Sequence, residues 1–422
     1  MFKKFWDTIL FYLKTDEIRN KIYFSLIILL MFRVLASLPV VGIKQEDFIN
    51  LFNGSSFGDL LSTLSGGVLQ TASIVAIGLN PYINASVTLQ LLTPVIPKLE
   101  ELRKEGSQGR RLISMYTRLL TVPLAILQSF AIYSILRGQG FIGALDTVPF
   151  IVMCATLTGG AILMMWFGEL ISESGIGGGT SFLIFLGILS GLPGNFIDNW
   201  RYMDILQKVL LVLMNLIIVA VVIMISESER RVKVQYSRRV RAGGSLDSYI
   251  PLKLTQSGVM PVIFAISLLS FPQLIAQFLI SRNINSTVTS ISQTLITWIS
   301  NPYTQNIGLF VLVIAFSLFY VTVVFNTEEI SENLQKNGGF VPGIRPGKAT
   351  ASYLRGISLR LTVVGALVLA ILAVLPNLLE YIGFLQKPLI SGTGFLILVG
   401  VVLDMRRQIK SMAVVKDYGK YI

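Results

Sequence analysis

Residues 207–225 read QKVLLVLMNLIIVAVVIMI, a run in which only Gln207, Lys208 and Asn215 are polar. An α-helix needs about 20 mostly apolar residues to cross the hydrocarbon core of a bilayer. The run therefore predicts a transmembrane helix. Segments of the same kind recur along the chain, and together they predict ten spans, at residues 22–41, 73–96, 115–136, 149–169, 181–197, 207–225, 257–280, 306–326, 358–376 and 389–404.

The composition of the whole chain agrees with a membrane architecture. Of its 422 residues, 53% are hydrophobic and only 14% are charged, whereas soluble globular domains carry about 25% charged residues. The chain has too little polar surface to cover a soluble body. We therefore predict an all-α polytopic membrane protein.

The basic residues predict how the spans are oriented. With the N-terminus inside the cell, 28 of the 35 Lys and Arg residues fall in inside segments, six in outside segments and Arg33 within the first span. Cytoplasmic loops of membrane proteins carry this excess of positive charge. The asymmetry predicts an even number of spans with both termini in the cytoplasm.

Four segments outside the spans are rich in basic residues. Residues 1–21 form an amphipathic N-terminal segment, the loops at 226–256 and 327–357 are unusually long, and residues 405–422 form a tail. The second loop contains GGFVPGIRPG, whose glycines and prolines shape a turn around Arg345. Orientation of the spans explains the charge of these loops but does not require such a turn.

Residue types exclude several kinds of chemistry. The chain has no histidine and its only cysteine is Cys154, so it has no imidazole-based triad, internal disulfide or multi-cysteine metal site. Ionisable residues at membrane depth mark ion or proton pathways, but only Arg33 lies near mid-span, and packing or snorkelling explains it best. Glu169 and Asp404 lie at span ends. We predict no enzymatic activity, no metal and no cofactor.

The second span is unusually polar. It contains IVAIGLNPYINASVTLQLLTP, which includes Asn80, Pro81, Asn84 and Gln90. Spacing by four residues places three aliphatic side chains on one helical face: Leu79, Ile83 and Val87. Since proline inside a helix breaks a backbone hydrogen bond, a kinked helix that packs this stripe on neighbouring spans explains the pattern without any special function.

Five motifs are distinctive, namely GLNPYINAS at 78–86, GRR at 109–111, GIG at 175–177, ERRVKVQY at 229–236 and GFVPGIRPG at 339–347. In these motifs the chain resembles the SecY/Sec61-alpha family of protein translocase channels. The resemblance covers essentially the whole chain, and the last two motifs are long enough to be specific.

The resemblance implies ten transmembrane helices in two pseudosymmetric halves of five, residues 22–197 and 207–404, around a central hourglass pore. It implies an aliphatic ring at the constriction, formed by Leu79, Ile83, Ile184, Ile188, Ile263 and Ile397. It also implies a plug near residues 57–67 that blocks the outer side of the ring, with Phe57, Leu60, Leu61, Ser62, Leu64, Gly66 and Gly67 as its members.

The same resemblance implies a lateral gate opening to lipid, with Asn84, Gln90 and Gln128 among its residues. It implies that the cytoplasmic loops dock the SecA motor ATPase or the ribosome through Arg238, Arg239, Arg241 and Arg345. SecE and SecG would be the membrane partners, and signal peptides and nascent chains would pass through the pore. The location would be the bacterial plasma membrane.

The sequence thus favours a protein-conducting channel that moves unfolded secretory polypeptides across the membrane and releases membrane-protein helices sideways into it. Such a pore must pass every kind of side chain, so an apolar constriction suits it better than fixed charges. The alternative is a secondary solute transporter with inverted repeats. Sparse charge within the spans and large basic loops favour the channel.

Overall fold

The computed structural model describes residues 16–40, 73–138, 146–202, 204–236, 248–256, 258–282, 285–381 and 391–419. Three predicted regions lie outside these ranges. They are the first 15 residues of the amphipathic segment, the plug segment near 57–67, and the docking residues Arg238, Arg239 and Arg241. Each stays a prediction.

The described part of the first half is almost entirely helical. Its helices are α1 Asp16–Ser37, α2 Asn80–Leu92, α3 Pro97–Lys104, α4 Ser107–Gly138, α5 Thr147–Ser174 and α6 Gly179–Tyr202. The second half adds three strands to its helices. Its elements are α7 Ile205–Glu227, β1 Glu229–Tyr236, β2 Ser248–Lys253, α8 Met260–Arg282, α9 Ser286–Ser300, α10 Pro302–Val324, α11 Thr327–Lys336, β3 Gly339–Phe340, α12 Lys348–Tyr381 and α13 Gly392–Gly419.

The predicted all-α membrane fold is confirmed. Within the described ranges, seven helices are long and apolar enough to cross a bilayer: α1, α4, α5, α7, α8, α10 and α12. The remaining three predicted spans correspond to α2, α6 and α13. Helix α2 has only 13 residues, fewer than the roughly 20 that a crossing helix needs. The count of ten spans therefore stays a prediction.

The second predicted span differs from the structure at its start. Residues 74–79 form turns, and α2 begins at Asn80 with Pro81 in its first turn. Proline breaks no hydrogen bond there, because the first amides of a helix have no intrahelical partner. The interpretation of Pro81 as a kink is therefore wrong, and Pro81 instead helps to start the helix.

The two long basic loops contribute a small three-stranded sheet. Strand β1 lies in the middle and pairs antiparallel with both β2 and β3. Its Val232 and Val234 are buried, whereas Arg231 and Lys233 are exposed. This alternation has the two-residue period of a strand with one covered face. One face of the sheet is therefore buried and the other is exposed.

Three short helices were not predicted by the search for spans: α3, α9 and α11. Each is at most 15 residues long. None offers the long apolar run that marks a span. Helix α11 begins with a local capping signal, because the Asn326 side chain accepts a hydrogen bond from the Glu329 amide at 3.3 Å.

The main apolar core lies where helices of the two halves meet. A single cluster of buried side chains joins α1, α2, α5 and α6 to α7, α8, α10, α12 and α13. A second cluster joins α4 and α5 to Leu274 of α8. The surfaces of α1 and α7 that face away from these clusters expose large apolar residues such as Leu30 and Ile205, as lipid-facing helices do.

Candidate pore and lateral gate

The six predicted ring residues lie in the main apolar cluster. Ile83 of α2, Ile184 of α6, Ile263 of α8 and Ile397 of α13 are buried there, as is Leu79 just before α2. Ile188 is partly buried and packs against the same cluster. Four helices from both halves thus contribute these residues to one large apolar cluster. We call these six residues the central cluster.

The turn before α2 sets the position of its two members of the central cluster. Gly78 has a φ of +61°, a conformation that favours glycine. The Ile83 amide then donates to the Leu79 carbonyl at 2.9 Å, so the two side chains lie one helical turn apart. Val87 continues the predicted stripe and is also buried, which confirms that this face of α2 points into the protein.

The ionisable residues of the spans contact other polar groups. The Arg33 guanidinium donates to the Ser190 hydroxyl of α6. Arg118 of α4 pairs with Glu169 of α5 at 2.5 Å. Asp404 pairs with Arg407 of its own helix at 3.4 Å. These contacts agree with a packing role for Arg33 and with carboxylates at helix ends.

A polar contact joins α2 to α8 beside the central cluster. The Ser267 hydroxyl of α8 donates to the Asn84 side-chain oxygen of α2. Ser267 is buried, so the bond is shielded from water on the protein side. Sequence reasoning singled out Asn84 but missed Ser267, because one serine in an apolar helix gives no distinctive pattern.

Two buried carboxamides lie near this contact on the helices that meet there. Helix α8 packs against both α2 and α4. Gln128 of α4 is buried, and Gln273 of α8 is fully buried at 0% exposure. Neither polar atom of the Gln273 carboxamide has a hydrogen-bond partner among the described residues. The side-chain amide of the predicted gate residue Gln90 donates to the Ser86 hydroxyl of its own helix, α2, at 3.0 Å.

We call Asn84, Gln128, Ser267 and Gln273 the front seam. A buried polar group without a partner costs about 1–3 kcal/mol. Gln273 is such a group among the residues that the structure describes.

Both ends of the front seam carry further contacts between the halves. At one end, the Phe130 ring of α4 lies 5.3 Å from the Phe278 ring of α8. At the other end, the Arg103 guanidinium of α3 donates to the Val323 carbonyl in the last turn of α10. A cation at a helix C-terminus is favoured by the helix dipole, so Arg103 ties the two halves together near the sheet.

Arg345 is presented by a rigid turn. Gly343 and Gly347 on either side have φ values of +81° and +93°. The Thr350 hydroxyl donates to the Arg345 carbonyl at 2.9 Å, and the Ser331 hydroxyl donates to the Gly347 carbonyl at 2.7 Å. The Arg345 side chain itself is exposed. The backbone is thus fixed while the guanidinium is free to meet a partner.

The sheet next to this turn exposes further cations. The Arg231 guanidinium lies 4.8 Å from the centre of the Tyr249 ring and 2.9 Å from the Glu229 carboxylate. The hydrogen bond to Glu229 raises the pKa of Arg231. At the end of β2, burial lowers the pKa of Lys253, and the charge of Arg407 lowers it further.

A profile of the SecY family matches residues 73–406. The protein translocase subunit SecY of Mycobacterium tuberculosis (strain ATCC 25618 / H37Rv) is 39% identical over 434 residues, which covers 97% of this chain and 98% of the relative. That of Bacillus subtilis (strain 168) is 35% identical over 440 residues, covering 99% of each chain.

Solved structures share the fold at lower identity. A protein-conducting channel superposes with a TM-score of 0.68 at 16% identity, covering 93% of this chain and 92% of that chain. A SecY structure with a plug domain gives a TM-score of 0.67 at the same identity and coverage. Sec61 from a canine ribosome-channel complex of the endoplasmic reticulum gives a TM-score of 0.63 at 16% identity, covering 93% of this chain and 92% of that chain.

Proposed function

This chain belongs to the SecY family of protein translocase subunits, and from this premise we infer how it works as a protein-conducting channel in the membrane. The observation that supports the inference is that the six aliphatic side chains of the central cluster, from both halves of the chain, all belong to the main apolar core. The family match and the named relatives support the channel and not the alternative of a solute transporter.

The central cluster is proposed to be the pore ring. An aliphatic constriction holds little water, so it resists ions when no polypeptide is present. It also offers no fixed charge that would hold a passing side chain. The members come from four helices, so small movements of α2, α6, α8 and α13 would widen the ring around an unfolded chain.

The front seam is proposed to be the lateral gate. It lies where α8 of the second half meets α2 and α4 of the first half. A hydrophobic signal helix that enters between them gains a lipid environment for its apolar side chains. The polar groups of the seam make its closed form less favourable than an all-apolar interface, so the incoming helix needs less free energy to separate the two halves.

The sheet and the Arg345 turn are proposed to be the docking surface for the partner that drives translocation. That partner is the SecA motor or the ribosome, whose RNA phosphates would attract exposed cations. SecE and SecG are proposed as membrane partners, the bacterial plasma membrane as the location, and the cytoplasm as the side of both termini. The segment near 57–67 is proposed as the plug.

Reconstitution tests the function directly. The purified chain would be placed in vesicles with a SecE subunit and SecA, and protection of a secretory precursor from external protease would be measured with and without ATP. ATP-dependent protection is expected. Its absence, with the proteins inserted and SecA active on another SecY, would overturn the proposal.

Arg345→Glu tests the docking surface in the same vesicles. Reversing the charge on a rigid turn should reduce precursor protection about tenfold or more, as loss of a close charge pair does in other complexes. Arg355→Glu is the matched control, because Arg355 is also basic but lies on α12 outside the turn. Normal protection by a well-inserted Arg345→Glu channel would remove Arg345 from the docking surface.

A further inference from the structure

Helix α9 connects the ends of α8 and α10 that lie farthest from the sheet. Strand β2 is followed closely by the start of α8, and a helix of 23 residues is about 34 Å long at 1.5 Å per residue. The last residue of α8 therefore lies on the opposite side of the membrane from the sheet. Helix α9 follows only a few residues later, so it lies close to the outer membrane surface.

Neighbouring helices cover only part of the apolar face of α9. One stripe contacts the neighbouring helices α8 and α10 and contains buried or partly buried residues: Val288, Ser292, Ile296 and Ile299. The adjacent stripe is apolar but uncovered, since Ile291, Leu295 and Trp298 are 56%, 44% and 65% exposed. Their spacing by four and three residues places them on one face of the helix.

The remaining face of α9 is polar but uncharged. Ser290, Thr294 and Thr297 are exposed there, and the hydroxyls of all three donate to backbone carbonyls of the same helix. Residues 286–300 contain no Asp, Glu, Lys or Arg. A charged protein partner or a specific anionic headgroup would thus find no complementary charge on α9.

The exposed stripe of α9 is continuous with a lipid-facing surface. The Thr304 hydroxyl at the start of α10 donates to the Trp298 carbonyl, which ties the two helices together. Helix α10 then exposes Tyr303, Ile307 and Val311, again spaced by four. On a spanning helix such a stripe faces lipid, and Trp and Tyr concentrate where hydrocarbon meets the headgroups.

We propose that α9 is an interfacial helix of the outer leaflet, with Ile291, Leu295 and Trp298 inserted among the phospholipid acyl chains near the headgroups. An apolar face opposite a polar face is what places a helix in the plane of the interface. Through its connection to α8, this helix anchors the outer end of the helix that carries Ser267 and Gln273. The proposal concerns the position of α9 in the membrane and does not depend on translocation activity.

Fluorescence tests the depth of Trp298. The chain has four tryptophans, so a Trp6→Phe, Trp166→Phe, Trp200→Phe variant leaves Trp298 as the only emitter. In phosphatidylcholine vesicles, lipids brominated close to the headgroup should quench this emission more than lipids brominated near the end of the acyl chain. Quenching by aqueous iodide that exceeds quenching by both lipids would overturn the proposal.

Neighbouring positions on α9 provide a matched pair for a second test. In a Cys154→Ala background, a nitroxide would be attached to Ile291→Cys or to Ser290→Cys, which are adjacent in sequence but lie on different faces. The label at 291 should be accessible to oxygen dissolved in lipid, and the label at 290 to a water-soluble nickel chelate.

Two outcomes contradict lipid contact. Equal access of the nickel chelate to both labels would place α9 in water. Shielding of the label at 291 from both reagents would mean that a protein covers the stripe. The measurements need no motor, ribosome or precursor, so they stand or fall separately from the proposed channel activity.

Discussion

The central cluster and the front seam lie side by side, yet the first consists of aliphatic side chains and the second of polar side chains. Helices α2 and α8 contribute to both. In the central cluster they bury Ile83 and Ile263, whereas a short distance along the same helices the partly buried Asn84 accepts a hydrogen bond from the buried Ser267. The same pair of helices thus presents aliphatic side chains to the central cluster and polar side chains to the front seam.

If the central cluster is the pore ring and the front seam is the lateral gate, as proposed, the difference follows from what each region has to do. Burying an aliphatic side chain is worth about 1.5–3 kcal/mol relative to exposure, so the central cluster closes tightly whenever the pore is empty. A typical hydrogen bond contributes only about 0.5–1.5 kcal/mol net, and an unpaired buried carboxamide is unfavourable. The front seam is therefore closer to balance between closed and open. A seal and a gate can then share two helices.

The largest effect is expected from placing a polar group in the central cluster. Ile83→Asn should let water into the ring and raise resting ion conductance about tenfold or more, because an apolar constriction blocks ions by remaining dry. Single-channel recording of the purified complex measures this. Val87→Asn is the control, since Val87 is buried on the same face of α2 but belongs to no ring position. Equal conductance in the two variants would mean that the ring has no special role.

Making the seam apolar should have the next largest effect. Gln273→Leu removes an unpaired buried carboxamide, so the closed gate should gain about 1–3 kcal/mol. Precursors with weakly hydrophobic signals should then cross more slowly, while strongly hydrophobic signals are less affected. Translocation rates over a series of signals of increasing hydrophobicity measure the change. Gln90→Leu, whose amide bonds within α2, should change these rates little, and an equal effect would contradict a gating role for Gln273.

Removing the hydrogen bond of the seam should act in the opposite direction. Ser267→Ala should weaken the closed gate by about 0.5–1.5 kcal/mol and speed the passage of weak signals. Ser270→Ala is the control, because the Ser270 hydroxyl donates to the Ile266 carbonyl of its own helix at 2.8 Å. A double-mutant cycle with Asn84→Ala isolates the pair. Additive effects of Ser267→Ala and Asn84→Ala would show that the bond contributes nothing to closure.

The smallest effect is expected at the end of the seam near the sheet. Arg103→Ala removes the cation at the C-terminus of α10 and should reduce closure by about 0.3–1 kcal/mol. Arg103→Lys should retain part of the effect. Thermal unfolding in detergent and the rate of weak-signal passage measure it. Lys104→Ala is the control, since Lys104 pairs with Glu100 of its own helix at 2.8 Å. A change as large in Lys104→Ala would leave Arg103 with no role in joining the halves.

Local sequence patterns predicted much of the fold. The run at 207–225 gave α7 and the spacing of Leu79, Ile83 and Val87 gave the buried face of α2, because hydropathy and helical period are properties of neighbouring residues. The start of α2 is harder to predict from the sequence, since proline is compatible with a kink as well as with a first turn. The choice depended on the turn at Gly78, whose conformation no pattern specifies.

The seam shows where prediction from local patterns ends. Asn84 and Gln128 were singled out through a family resemblance, but Ser267 and Gln273 lie in an apolar helix and give no signal by themselves. Their importance comes from what lies opposite them on α2 and α4. The same holds for Arg103, whose partner at Val323 is 220 residues away in the chain.

The sequence by itself determined that this chain is a helical membrane protein, how its basic loops are distributed and which family it resembles, because these depend on composition, short motifs and apolar runs. Only the tertiary structure decided that two basic loops join in one sheet, that Ser267 meets Asn84, and that half of the apolar face of α9 is left uncovered. The physical reason is that hydropathy acts residue by residue, whereas pairing and exposure depend on which distant segments pack together.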